Sequence, residues 1–176
     1  MNIGIYINQA KYARNLVKRF GLEKATHAGT PMATNTKIGN DPLGQPVDIT
    51  LYKSMIGCLL YLSTSRLDIT FSVGVCARFQ ANPKVSHLNA IKRIIKYVSG
   101  TCDFGLFYSK ESNVSLVGYS DVDWAGNADD RKSTTSGCFY VGTNLIAWMS
   151  KKQNFVSLSI VEVQYIAAGS CCSQLL

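Results

Sequence analysis

No apolar run in this chain is long enough to cross a bilayer. Its longest stretches, such as Met55 to Leu62, fall far short of the ~20 residues that a membrane-spanning helix needs. The first residues, MNIGIYINQAKYAR, lack a basic segment followed by an apolar one, so no secretory signal is expected. The expected location is the cytoplasm or nucleus, with no membrane partner. Metal-ligand spacing is absent too. The six cysteines (Cys58, Cys76, Cys102, Cys138, Cys171 and Cys172) form no CxxC pair and have only two histidines for company, which argues against a zinc site. Reduced, mostly buried thiols are the expectation for such a chain. Acidic residues are scarce: 11 against 18 lysines and arginines, a formal net charge of +7. That surplus points to a polyanionic partner through counterion release, although a basic protein without a specific ligand has the same composition.

What is present suits a globular chain. Hydrophobic residues make up 47% and charged residues 16% of 176 positions, enough for one ordinary domain or two small ones. Gln9 to Phe20 has a helical period: Tyr12, Leu16 and Phe20 form an apolar stripe, Lys11, Arg14 and Lys18 lie on another face, and Gly21 is a natural stop. Thr26 to Val47 has no period and holds all but one of the prolines, so a mobile loop is expected there. From Thr50, the residues Leu51, Tyr52, Met55, Ile56, Leu59 and Leu60 make a broad helical face. Ile69 to Phe79 alternates like a strand and also fits a helix. Its length, Asp68 as a candidate cap and the stop at Asn82-Pro83 favour helix. Ser86 is a candidate cap for a further helix ending at Gly100, with Ile91, Ile94, Ile95 and Val98 inward and Lys92, Arg93 and Lys96 outside. His87, in its first turn, has no second ligand or nucleophile in view, and a structural role is expected of it.

The second half is strand-rich. Leu106 to Tyr108, a strand ending at Asp121, Gly137 to Val141 and Leu145 to Met149 are short β-prone runs, the last three reading as an antiparallel meander. A final helix follows, with Ser159 as its cap and Val161, Tyr165, Ala168 and Cys172 as the expected buried stripe. Alternation puts Val117, Tyr119, Asp121 and Asp123 on one face of the Asp121 strand. A rigidly held carboxylate where a strand meets a loop suits two-metal hydrolysis of phosphodiesters, but only with other carboxylates beside it.

The segment GYSDVDWAGNADDRKSTTSGCFYVG, then AWMSKKQ, SLS and YIAAGSCC, resembles the ribonuclease H region of copia-type, plant-like LTR retrotransposon Pol polyproteins. Upstream, GIYINQAKYARNLVKRFG, TPMATNTK, LYKSMIGCLLYL, CARFQANPK and HLNAIKRIIKYVSGT resemble the end of that family's reverse transcriptase. The resemblance implies an α+β architecture. Residues 1–104 would be a thumb-like helical bundle, and residues 105–176 a truncated ribonuclease H-like antiparallel sheet with one packed helix. It also implies Mg²⁺ in the parent family, with Asp121 as the remnant of the first metal-binding carboxylate. The second maps, within Val161-Glu162-Val163-Gln164-Tyr165, onto Gln164, a neutral amide that cannot neutralise a divalent cation. Glu162 sits about 200° away around the helix and does not replace it.

The sequence-based expectation is therefore a truncated Pol fragment that is not an enzyme as it stands and holds no cofactor strongly, any metal at Asp121 being weak. Weak binding of an RNA or DNA duplex through Lys11, Arg14, Lys18, Lys92, Arg93 and Lys96 stays open, as does association with itself or related Pol chains through an open sheet edge. Two alternatives remain: a non-catalytic module that binds nucleic acid or polyprotein, and a metal-dependent nuclease completed by another chain.

Overall fold

The computed structural model describes residues 3–33, 38–110 and 113–176; parts of the expected loop (34–37) and of the passage between halves (111–112) lie outside the described residues. The chain divides into two compact units, Asn8–Gly105 and Met1–Ile7 with Leu106–Leu176. It is a mixed α+β architecture, helices followed by an open antiparallel sheet.

The helical unit is built from α1 (Ala10–Arg19), α2 (Ile49–Leu62), α3 (Leu67–Ala77) and α4 (Val85–Gly100). Their apolar faces meet in one core. Leu16 of α1, Tyr52, Ile56 and Leu59 of α2, Ile69, Val73 and Cys76 of α3, and Ile91, Ile94, Ile95 and Val98 of α4 are all buried in it. Each such Leu or Ile taken fully out of water contributes about 1.5–3 kcal/mol, which is what holds short helices of this length together. Gly21 stops α1 as the sequence indicates. It adopts φ +67°, its N–H bonds Lys18 O at 3.0 Å and the Leu22 N–H bonds Val17 O at 3.1 Å, a Schellman closure.

The stretch from Ile69 resolves as helix, because burial at Ile69, Val73 and Cys76 follows a helical spacing that strand alternation would break. Two expected caps are corrected. Asp68 lies inside the first turn of α3, where its carboxylate is taken by the guanidinium of Arg66, the residue at the cap position. Ser86 lies inside the first turn of α4, its hydroxyl directed to Asp41, and Lys84 occupies the cap position with its N–H donated to His87 Nδ1 at 3.0 Å. A partner distant in sequence, Asp41, takes Ser86, whereas Asp68 is claimed by its near neighbour Arg66 together with the Tyr97 hydroxyl. Gly100 is the last residue of α4 rather than a left-handed stop.

The expected loop from Thr26 to Val47 has no regular structure but is tied along α4. The Ala28 N–H reaches Lys96 O (3.5 Å), Arg93 bonds Thr30, Gly39 O meets His87 Nε2 at 2.8 Å, and the Val85 N–H reaches Gln45 O at 3.0 Å. Residues 26–33 and 38–47 are thus a strap rather than a free loop.

In the other unit, β2 (Gly105–Ser109) pairs with β1 (Gly4–Asn8), a strand outside the sequence-based expectation although Ile5 and Ile7 alternate within it; all five of its residues are exposed. Then β3 (Leu116–Asp123), β4 (Thr134–Val141) and β5 (Asn144–Lys152) form the expected meander in the order β3-β4-β5, antiparallel throughout. Ser109 and Asn144 exchange two hydrogen bonds, 2.8 and 3.1 Å, which tie β2 to the start of β5.

The last helix, α5 (Ile160–Leu175), begins at Ser159 as expected, the hydroxyl accepting the Glu162 N–H at 3.2 Å. Its buried stripe is not the expected one. Val163, Ala167 and Cys171 face the sheet, whereas Val161, Tyr165, Ala168 and Cys172 are exposed. The helix carries apolar residues on nearly every face, so period alone does not choose between stripes. Small Ala167 and Cys171 allow close approach, and Gly118 of β3 receives it: a Cβ there would stand 2.9 Å from Cys171 Sγ and 2.8 Å from Leu175 Cδ1. Leu175 is accordingly half-buried, while Leu176 is exposed as expected.

Candidate functional site

The register of β3 with β4 is regular, so side chains alternate along it without interruption. Gly118 and Val122 share the face under α5; Val117, Tyr119, Asp121 and Asp123 point to the other, opposite Cys138 and Ser136 of β4. The expected shared face of Asp121 and Asp123 is therefore present. Asp121 is exposed beside Tyr119, whose ring meets Tyr140 edge-on at 5.8 Å. Gln164 is exposed too, one residue past the buried Val163 on α5. The structure thus sets Asp121 on the sheet face away from α5 and Gln164 on α5 itself. Glu162 is engaged elsewhere: its Oε2 accepts the Leu158 N–H at 2.8 Å while its own N–H goes to Ser159, a reciprocal cap.

Asp129 and Asp130 sit in a loop ordered by Asn127, whose carboxamide oxygen accepts both of their N–H groups at 2.8 and 3.3 Å. Asp130 pairs with Lys152 at 2.7 Å. Its slight burial would raise its carboxyl, but Lys152 and the Lys132 N–H outweigh this and hold it below the usual range. Among the described residues, no group of three or more His, Cys, Asp and Glu is placed to hold a metal ion.

The six expected nucleic-acid-binding cations are not equally available. Lys11 and Lys18 stand exposed on α1, whereas Arg14 is paired with Asp103. On α4, Lys92, Arg93 and Lys96 are half-buried, and Arg93 donates through Nη2 to Thr30 Oγ1 (2.9 Å) and through Nε to Thr30 O (3.2 Å). The strap therefore occupies part of the basic face that periodicity leaves outside. Lys11 also borders a cavity of about 430 Å³ with Gln9, Tyr12, Asn15 and Tyr61, in which the Tyr12 and Tyr61 rings meet edge-on at 4.8 Å. The sequence reading missed this aromatic pair, because its members lie on separate helices and no spacing links them.

His87 is structural, as expected. It is 1% exposed and stacked on Phe79 at 4.1 Å. Its Nδ1 accepts a backbone N–H, so in the neutral ring Nε2 carries the proton given to Gly39 O.

Over 172 residues the chain is 36% identical to the Retrovirus-related Pol polyprotein from transposon RE2 of Arabidopsis thaliana, matching 98% of this chain. The chain is homologous to retrotransposon Pol polyproteins. A second Pol relative, from transposon TNT 1-94 of Nicotiana tabacum, is 35% identical over 93% of this chain. The uncharacterized mitochondrial protein AtMg00810 of Arabidopsis thaliana is 31% identical over 98% of this chain and 71% of its own length. This Pol homologue spans only 12–13% of the two polyproteins. No protein-family profile matches the chain, and no solved structure does.

Proposed function

We propose that this Pol homologue is a non-catalytic fragment, its residues 1–104 corresponding to the end of a reverse transcriptase and 105–176 to the first part of a ribonuclease H domain. Its residual activity is weak, electrostatic binding of an RNA or DNA duplex by the helical unit, led by Lys11 and Lys18. The observation that carries the reading is Gln164: at the register where the resemblance requires a metal-binding carboxylate, the chain has an exposed neutral amide. Asp121 alone can hold Mg²⁺ only loosely, because a two-metal site must clamp both attacking and leaving oxygens between ions roughly 4 Å apart.

The test is cleavage of an RNA–DNA hybrid in Mg²⁺ or Mn²⁺ by the unmodified chain, by Gln164→Glu and by Asp121→Asn. No cleavage is expected from any of them, since one substitution does not rebuild a two-metal geometry. Cleavage by the unmodified chain that Asp121→Asn abolishes would instead establish a nuclease, completed by another chain. Duplex binding is read in the same preparation from its salt dependence. A slope of roughly −0.9 in log K against log salt is expected per phosphate neutralised. Charge reversal at Lys11 and Lys18 should flatten that slope; binding that ignores salt would assign the surface to a protein partner.

A further inference from the structure

We propose that Thr30 is a phosphorylation site for a proline-directed protein kinase, and that Arg93 is the receptor of the phosphate. This stands apart from the nucleic-acid reading. Of the four prolines, at 31, 42, 46 and 83, only Pro31 follows a serine or threonine. Proline disfavours helical backbone at the residue before it, and Thr30 lies in a bend of the strap, where a kinase cleft must draw it out. The residue is exposed and lies outside any helix or strand. Its hydroxyl donates to Met32 O at 2.9 Å and accepts from Arg93 Nη2 at 2.9 Å.

The step transfers the γ-phosphoryl group of Mg-ATP to Thr30 Oγ1. The new P–O bond replaces the bond to the β-phosphate oxygen, ADP leaves, and the kinase's catalytic carboxylate takes the hydroxyl proton. The consequence is a change in local electrostatics. A phosphate carries about −1.5 to −2 charge at neutral pH and three acceptor oxygens. Placed on Oγ1, it meets a guanidinium already anchored through Nε to the Thr30 carbonyl, and a hydrogen bond charged only on the donor side becomes one between opposite charges. Lys96, three residues along the same helix face, accepts the Ala28 N–H through its backbone carbonyl. Asp41, the acidic residue of the strap, already accepts the Ser86 hydroxyl. Phosphorylation would fasten the strap to α4 and offset the positive charge of that face.

The full chain is treated with a cyclin-dependent-type kinase and Mg-ATP, beside a peptide substrate that shows the kinase is active, and the site is located by mass spectrometry. One phosphate is expected, at Thr30, and none in Thr30→Ala. The phosphate is then titrated by ³¹P NMR in the unmodified sequence and in Arg93→Gln, both first shown to be helical by circular dichroism. A nearby guanidinium favours the dianion, so the second ionisation should lie roughly half a unit or more lower with Arg93 present. Arg93→Lys keeps a point charge without the planar fork and should fall between the two. No phosphate at Thr30 while the peptide is turned over would overturn the proposal. So would a phosphate whose ionisation is the same with Arg93 and with Gln in its place.

Discussion

Arg66 is 2% exposed and makes four hydrogen bonds: Nε and Nη2 to the two oxygens of Asp68 at 2.8 and 2.6 Å, and Nη1 and Nη2 to the carbonyl and hydroxyl of Thr101 at 2.8 and 2.7 Å. It also lies over the rings of Tyr97 and Phe104, and the Tyr97 hydroxyl donates to Asp68 at 2.9 Å. One side chain thus joins the start of α3 to the end of α4. Arg66 is the buried member of the pair and Asp68 the partly exposed one, so the stranded charge is costly when Asp68 is removed: Asp68→Leu should cost about 3–5 kcal/mol in urea unfolding, with much of it regained in the Arg66→Leu, Asp68→Leu double variant. Burial would raise the Asp68 carboxyl, but Arg66 and Tyr97 outweigh it and hold the group below the ordinary Asp range. A depressed carboxyl contributes stability above its unfolded value of about 3.9, and that contribution is lost as pH falls through the folded value. The stability gap between the unmodified chain and Asp68→Asn should therefore narrow on acidification below pH ~4; a gap independent of pH would disprove the linkage. A second residue-scale test uses the thiols. Burial pushes Cys76 up to about 12, whereas Cys172 is exposed, so iodoacetamide at neutral pH should label Cys172 and leave Cys76 untouched until the chain unfolds.

At the scale of elements, α5 is the least predetermined part of the chain. Its seating depends on a partner lacking a side chain, since Gly118 lets Cys171 and Leu175 descend onto β3. Gly118→Val should push the helix away and cost the sheet unit about 1–3 kcal/mol, the usual range for overpacking, and should expose Cys171 to thiol reagents. An unchanged Cys171 labelling rate would show that the helix is held by other contacts. The same seating explains why the expected stripe was misplaced. Val161, Tyr165, Ala168 and Cys172 satisfy a helical period as well as Val163, Ala167 and Cys171 do, and only the bare backbone at Gly118 distinguishes them. By contrast, α4 has a single apolar stripe with lysines and an arginine opposite, so its inward residues could be read directly.

For the whole molecule, burial is shared unequally between the units. The helical unit has an extended core reaching from Ala13 to Val98, whereas the sheet unit has four buried apolar side chains among the described residues: Phe139, Val163, Ala167 and Cys171. Leu116, Tyr119, Phe155, Val161 and Tyr165 remain exposed there. Local stability follows buried apolar contact. Amide exchange should accordingly be faster across β3, β4, β5 and α5 than across α2, α3 and α4, and equally slow exchange in both units would refute this. The three-stranded sheet also has β3 and β5 at its edges, which leaves association through an unpaired strand as an expectation for light scattering against concentration.

The sequence by itself determined the helices with one clear apolar face, the Gly21 stop, the Ser159 cap, the three-strand meander and the neutral residue at position 164, because each depends on side chains within a few positions of one another. Tertiary structure alone decided the rest. Ser86 has the chemistry of a cap, yet Asp41, far before it in the chain, takes its hydroxyl. Arg93 is an outer-face cation by period, yet Thr30, distant in sequence, holds it. The α5 helix turns its small residues inward because β3 leaves room at Gly118. In each case the deciding partner lies far along the chain or offers only backbone, and a local pattern carries no trace of either.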